Sequence, residues 1–234
     1  QTMHAVPVGF KDATAKASFT FATQTKNQVL FADYNMVQAE VRWVRNTSAY
    51  SADKEPVIDI FNNYFGGGMS GLVFQTIRES KALAYSTFAF YAKPEKKEDP
   101  FYTLAYVGSQ ADKFNESVVA MNELLNDLPD VEENIKNARA GIKKDIETER
   151  ITQNGIIFNY LAAQRKGLND DIRKKTYTAV DKIGYNELKQ FHTENIANKP
   201  YIYCIVASDK KLNEDAMKKF GEVKKLSLEE IFGY

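Results

Sequence analysis

Two residues near the middle of the chain, Arg78 and Tyr85, have side chains suited to binding a polarised carbonyl group. The arginine guanidinium is a planar fork of donors, and the tyrosine hydroxyl is a single directed donor. Both groups can stabilise negative charge that develops on a carbonyl oxygen. A helical pattern ends near Arg78 and a strand pattern begins near Tyr85, so both are expected at one edge of the fold. From the residues alone, a cation at a helix end and a half-buried strand tyrosine are the simpler interpretation.

The other residue types that commonly carry catalysis are few and scattered. The chain has two histidines, His4 and His192, and one cysteine, Cys204. Neither histidine begins a His-x-x-Glu-His motif, and Glu194 lies off the helix face that His192 occupies. Cys204 lies in an apolar strand pattern, which predicts a buried, inert thiol. With no nucleophile–base pair and no set of metal ligands, the sequence predicts no complete catalytic constellation and no metal bound by this chain.

A cluster of glycines precedes Arg78. Gly66-x-Gly68-x-x-Gly71 matches the dinucleotide-binding fingerprint, but that fingerprint must follow a strand. Here a helical pattern over 57–65 precedes it, and the position after the last glycine lacks the lysine of a P-loop, so no nucleotide site is predicted. Gly66, Gly67 and Gly68 are expected to end the helix, because glycine adopts positive φ freely.

The rest of the pattern predicts a sheet and a block of helices. Apolar alternation and short apolar runs predict strands over 36–45, 83–91, 101–107 and 201–207. Apolar stripes predict helices over 57–65, 114–128, 131–146 and 155–166, with others near 170–180, 184–197 and 213–220. Ser70 is the expected N-cap of a further helix that carries Arg78 in its last turn. Phe19 and Phe21 suggest a short strand or an extended lead-in, and 221–234 is expected to be a tail.

This order of elements predicts an α+β fold with a mixed or antiparallel sheet, backed by a layer of helices. No internal repeat is visible, so residues 1–234 are expected to form a single unit with a core over about 17–220.

Composition excludes several classes of function. The chain has 234 residues with 31 basic and 31 acidic side chains, so its formal net charge is zero. It therefore lacks the basic character expected of a protein that binds nucleic acid or an anionic membrane. No apolar run is long enough to span a membrane, and a single cysteine excludes an internal disulfide. No targeting segment is visible; because the chain begins at Gln1, its compartment cannot be inferred.

A longer stretch carries a family resemblance. The glycines of 66–68, Phe-Gln-x-Ile-Arg-Glu over 74–79 and Leu-Ala-Tyr-Ser over 83–86 resemble the insulinase/pitrilysin family of zinc metallopeptidases. The strand pattern upstream and the helices downstream extend the similarity over nearly the whole chain. One departure is Ala82, where the family usually has glycine. The family is built from α+β half-domains, also seen in mitochondrial-processing-peptidase-like proteins, which close on each other like a clamshell.

The resemblance implies that this chain is the C-terminal, non-catalytic and zinc-free half-domain. The family's catalytic half carries His-x-x-Glu-His, so zinc is expected in a partner half, on the same polypeptide or on a separate subunit. Arg78 and Tyr85 match the positions from which the non-catalytic half contacts the peptide substrate and its transition state. The joint of Gly66, Gly67 and Gly68 either lines the substrate chamber or simply ends a helix.

A second hypothesis keeps the fold and removes the peptidase role. The core proteins of respiratory complexes resemble this family and act as structural subunits. The presence of both Arg78 and Tyr85 favours the peptidase half, because a scaffold does not need them. An independent enzyme of another mechanism is disfavoured, because the sequence offers no nucleophile–base pair, and the chain alone is expected to be inactive.

Overall fold

The computed structural model describes residue 9 and residues 20–233 of the chain. Its strands are β1 (Gln28–Asp33), β2 (Gln38–Ala49), β3 (Ser86–Ala92), β4 (Pro100–Gln110), β5 (Ile202–Ala207) and β6 (Glu222–Leu226). Its α-helices are α1 (Glu55–Phe65), α2 (Phe114–Asn126), α3 (Glu132–Thr148), α4 (Gln153–Arg165), α5 (Ile172–Ala179), α6 (Tyr185–Asn195), α7 (Glu214–Lys218) and α8 (Leu228–Phe232). A π-helix (Phe74–Ser80) follows the glycine cluster. Across the described residues, no helix combines the length and apolarity needed to cross a membrane.

The strands form one six-stranded mixed sheet in the order β3-β4-β2-β5-β1-β6. β3, β4, β2 and β5 pair antiparallel in succession. β1 then pairs parallel with both β5 and β6. The predicted α+β class, with helices backing a mixed sheet, is therefore confirmed.

One face of the sheet is covered by helices. Buried residues alternate in β5, in β1 up to Phe31 and in the first half of β2, as the period of a half-covered strand requires. Trp43 of β2 is fully buried, and its indole N–H donates to Asn122 Oδ1 of α2 at 2.8 Å. Helix α1 packs on β3 and α2 packs on β4. The stripe Phe114, Val118, Met121 lies in this core, as its spacing predicts.

The structure corrects one sequence prediction about the elements and contains a strand that the sequence did not predict. The expected tail over 221–234 contains β6, which extends the sheet by pairing Val29 with Val223, and the short helix α8. β6 is a charged edge strand with only half-exposed apolar positions, so it carries no apolar alternation to recognise. Strand β1 was also not predicted. His4 and Phe19 lie outside the described residues, and Phe21 belongs to no regular element.

Candidate functional site

Gly66 and Gly67 of the glycine joint lie so close to neighbouring backbone atoms that there is no room for a side chain. Helix α1 ends at Phe65, and the N–H of Gly66 donates to Asn62 O at 3.0 Å. A Cβ on Gly66 would lie 1.5 Å from the carbonyl oxygen of Ala89 in β3, and one on Gly67 would lie 2.7 Å from the backbone of Asn63. Gly66 has φ of −121°, so the helix does not end through positive φ as expected. The positive φ, +62°, occurs at Gly68, where an added Cβ would meet no atom within 4 Å.

The glycine joint and the end of α1 together cover the outer edge of β3. The Asn62 side chain accepts a hydrogen bond from the N–H of Tyr91 at 2.8 Å and donates to its carbonyl at 3.0 Å. The Asn62 amide thus forms the two hydrogen bonds that the N–H and C=O of Tyr91 would otherwise form with a neighbouring strand. Together with the contact of Gly66 on Ala89, this fixes α1 against the edge of the sheet. That the joint also lines a substrate chamber stays a prediction.

Arg78 is carried by the π-helix and faces solvent. The helix begins after the joint, where Gln75 N–H donates to Gly71 O at 3.0 Å, so Ser70 is not its N-cap. Ser70 lies in a 3₁₀ turn, Gly68–Ser70, because the glycines add one tight turn before the helix can start. Arg78 lies in the last turn, as predicted, with its guanidinium 5.0 Å from the centre of the Phe74 ring. Within residues 20–233, no carboxylate pairs with this guanidinium.

A strained turn connects Arg78 to Tyr85. Ala82, which stands where the family usually has glycine, has φ of +49°. A residue with a Cβ pays about 1–2 kcal/mol in this region. Leu83 N–H then donates to Ile77 O at 2.9 Å, which anchors the turn to the buried side of the π-helix.

Tyr85 stands at the entrance to β3. Its N–H donates to Gly108 O of β4 at 2.9 Å, and its side chain is 53% exposed. The side-chain amide of Gln110 donates to the Tyr85 hydroxyl oxygen at 2.7 Å. The oxygen therefore accepts one bond while the hydroxyl proton stays available to a ligand. Gln110 is 25 positions away and gave no sequence signal, so its part in orienting Tyr85 was missed.

Arg78 and Tyr85 thus flank one turn, and both side chains are exposed. Their own side chains share no hydrogen bond in the part of the chain that the structure describes.

The described residues do not fit a zinc ion. His192 is 2% exposed on α6, with its ring centre 6.1 Å and 6.2 Å from those of Phe61 and Phe65. Burial lowers its pKa, which keeps the imidazole neutral in an apolar surrounding. Over residues 20–233, no three or more His, Cys, Asp or Glu side chains are grouped as metal ligands.

Comparisons with known proteins agree with this architecture. The family model described as the peptidase M16 inactive domain matches residues 10–140, more than half of the chain. A Bacillus subtilis protein named "Uncharacterized zinc protease YmxG" is 29% identical over 129 residues, which are 55% of this chain and 26% of that protein.

Solved structures with the same fold are similar to this chain at low sequence identity. The peptidase M16 inactive domain from Pseudomonas fluorescens superposes with a TM-score of 0.68 at 11% identity, covering 84% of this chain and 47% of that chain. The Escherichia coli periplasmic protease PqqL superposes with a TM-score of 0.63 at 11% identity, covering 84% and 22%. Pitrilysin superposes with a TM-score of 0.57 at 9% identity, covering 86% and 22%.

This chain therefore spans at most about half the length of these relatives. Because the family model covers most of its length, from before β1 into α3, the chain belongs to the peptidase M16 family and matches the domain described there as inactive.

Proposed function

We propose that this chain is the zinc-free half of an M16-type metallopeptidase and that a partner half supplies the zinc. Membership of the inactive-domain family supports the first part of the proposal. The absence of grouped metal ligands over residues 20–233 is consistent with the second part. In this proposal the chain completes the substrate chamber and holds peptide, while the partner half cleaves it.

Arg78 and Tyr85 are the residues that we propose contact the peptide. The observation that carries this proposal is the availability of their donors on either side of one turn. The Arg78 guanidinium rests on Phe74 and has no carboxylate partner among the described residues, so its N–H groups can bind a substrate carbonyl. The Tyr85 hydroxyl accepts from Gln110, which leaves its proton directed to a second oxygen.

Each residue has a distinct chemical role in the proposal. The arginine fork holds the extended peptide through its planar set of N–H donors. The tyrosine hydroxyl donates to the oxygen on which negative charge develops when water attacks the peptide carbon. Zinc in the partner half would supply the activated water.

The test uses the chain assembled with the catalytic half from its own genome. Arg78→Ala and Tyr85→Phe should each reduce turnover about 10²–10³-fold, the usual effect of losing one preorganised donor. Zinc content should not change, because neither side chain binds the metal. Two matched controls should keep full turnover: Arg150→Ala, another exposed arginine, and Tyr160→Phe, whose hydroxyl also accepts from a glutamine at 2.7 Å.

Two results would contradict the proposal. Wild-type turnover in both Arg78→Ala and Tyr85→Phe would remove their assignment as substrate contacts. A catalytic half that is fully active alone, and unchanged when this chain is added, would leave only the scaffold hypothesis for the fold.

A further inference from the structure

The sheet face opposite the helices has an unexpected apolar character. Most of its residues are half-buried or exposed, and its large side chains stand apart from the main core. On the three strands nearest Tyr85, this face carries Phe88 and Phe90 of β3, Leu104 and Tyr106 of β4, and Arg42 and Val44 of β2. A solvent-facing sheet surface would ordinarily carry polar side chains at these positions.

Three of these rings form a continuous surface, which we name the aromatic strip: Phe88, Phe90 and Tyr106. Phe88 stacks on Phe90 with ring centres 5.6 Å apart and on Tyr106 with ring centres 5.0 Å apart. The guanidinium of Arg42 lies 5.3 Å from the centre of the Tyr106 ring and closes the strip on the β2 side. Stacking fixes the rings in place, so the strip is a preformed apolar surface.

The strip is continuous with Tyr85. The Tyr106 hydroxyl leans over Gly108, where an added Cβ would lie 2.7 Å from it. Gln110, two residues further on the same face of β4, donates to the Tyr85 hydroxyl. The Tyr106 hydroxyl thus fills the space that a side chain at position 108 would take, next to the Gln110 that bonds Tyr85.

We propose that the aromatic strip binds large apolar or aromatic side chains of the peptide substrate. This inference rests on the proposed function, because it takes Tyr85 as the point where the cleaved bond lies. Phe88 and Phe90 are about 10 and 17 Å along β3 from Tyr85, at about 3.3 Å per residue. An extended peptide that lies over the open face of the sheet, along β3, advances at the same rate, so its favoured side chain lies about three to five residues from the cleaved bond.

The spacing within the strip also matches an extended peptide. Phe88 and Phe90 are two residues apart, as are consecutive side chains on one side of an extended chain. Glu40 and Arg42 of β2 border the strip with opposite charges, so it offers no net charge to attract a particular ion. An anionic membrane surface is disfavoured for the same reason, since interfacial binding needs an excess of basic residues.

The test is a substrate scan with the assembled enzyme. A short peptide of alanine and serine carries a single phenylalanine, which is moved one position at a time, and cleavage is followed by mass spectrometry. With the wild-type chain, phenylalanine three to five residues to one side of the cleaved bond should raise kcat/KM about three- to tenfold. Phe88→Ala and Phe90→Ala should abolish this preference, so that each variant cleaves the phenylalanine-containing and phenylalanine-free peptides with equal kcat/KM.

Controls separate this inference from the proposed function. Phe158→Ala, on the exposed surface of α4, should keep the preference. Arg78→Ala and Tyr85→Phe should lower kcat/KM for every peptide equally, so wild-type rates in both variants would count against the proposed substrate contacts instead. Phe88→Leu keeps an apolar side chain and should retain folding, measured by thermal unfolding, but lose most of the preference.

Three outcomes would overturn the inference. One is a wild-type scan that shows no preference for phenylalanine at any position. Another is a Phe88→Leu chain that folds and keeps the full preference. The third is a Phe88→Ala chain that fails to assemble with the catalytic half in size-exclusion chromatography, which would make the strip an interface between the halves.

Discussion

Glu55 is a fully buried carboxylate whose charge is compensated by two lysines from distant parts of the chain. Its oxygens lie 2.9 Å from Lys93 Nζ and 3.0 Å from Lys166 Nζ, and the Tyr50 hydroxyl donates to it at 2.9 Å. Burial alone would raise the pKa of Glu55, but Lys93 and Lys166 outweigh it and the pKa is lowered. Glu55 therefore stays charged and links the start of α1 to the ends of β3 and α4.

We predict that Glu55→Gln lowers the free energy of unfolding at neutral pH. The expected loss is about 2–3 kcal/mol, below the 3–5 typical of a broken buried pair, because Lys93 keeps Asp59 as a partner. Urea unfolding of both proteins measures the difference. Glu116→Gln, which removes an exposed pair of 3.5 Å with Lys113, is the matched control and should change stability by less than about 1 kcal/mol.

The loss of stability caused by Glu55→Gln should depend on pH. A carboxylate with a lowered folded pKa stabilises the protein fully above its unfolded pKa of about 4.3, and the contribution disappears as pH falls through the folded pKa. The gap in stability between wild type and Glu55→Gln should therefore narrow in acid. A gap that stays constant from pH 7 to pH 3 would show that Glu55 is not the charged partner in this cluster.

Local sequence pattern predicts where Arg78 and Tyr85 lie in the fold, but it does not predict the charge cluster of Glu55, Lys93 and Lys166. Local pattern placed Arg78 in the last turn of a helix and Tyr85 beside a strand, and both positions are as predicted. Glu55 gives no sequence signal, because its partner Lys166 is 111 positions away and no local pattern joins them. Gln110 beside Tyr85 was missed for the same physical reason, since its contact is formed by pairing of β3 with β4.

The joint between α1 and the π-helix illustrates how an element boundary depends on a neighbouring strand. The sequence predicted that glycines end the helix, and they do follow it directly. Sequence alone could not show that Gly66 is required by the carbonyl of Ala89, because β3 lies more than twenty residues further along the chain. The π-helix itself was predicted only as a helix, since its apolar spacing resembles that of an α-helix.

We predict that Gly66→Ala destabilises the chain strongly, because the new Cβ would lie 1.5 Å from Ala89 O and would push α1 off the edge of β3. A loss of about 3 kcal/mol or more in the free energy of unfolding is expected for overpacking against backbone. Gly141→Ala is the control, and we expect it to change the free energy of unfolding in the opposite direction. It lies inside α3 with no atom within 4 Å of the added Cβ and should stabilise by about 0.5–1 kcal/mol. Equal stability of Gly66→Ala and wild type would contradict the close approach.

Residues 20–233 expose apolar side chains outside the core, and two of these surfaces are large. One is the open face of the sheet, which includes the aromatic strip. The other is α4, in which no residue is buried and Ile156, Ile157 and Phe158 are each more than half exposed. The contacts that hold α4 lie mainly near its C-terminal end. The N–H of Lys97 donates to Arg165 O at 3.0 Å, and Lys166 pairs with Glu55. Local stability should therefore differ widely between α4 and the core helices.

Hydrogen exchange of the isolated chain should reveal this difference. α4 has 13 residues, and a helix of that length is marginal in water without packing, so its amides should exchange through local opening. α1 buries Ile58, Ile60 and Phe61 and should exchange only with global unfolding. Mass spectrometry of peptides from 153–165 and 55–65 measures both rates in one sample. In the Lys166→Ala variant, exchange in α4 should be faster still, because the ion pair with Glu55 is lost. Equal protection of α4 and α1 in a monomeric sample would mean that the exposed apolar surface of α4 is covered in the free chain.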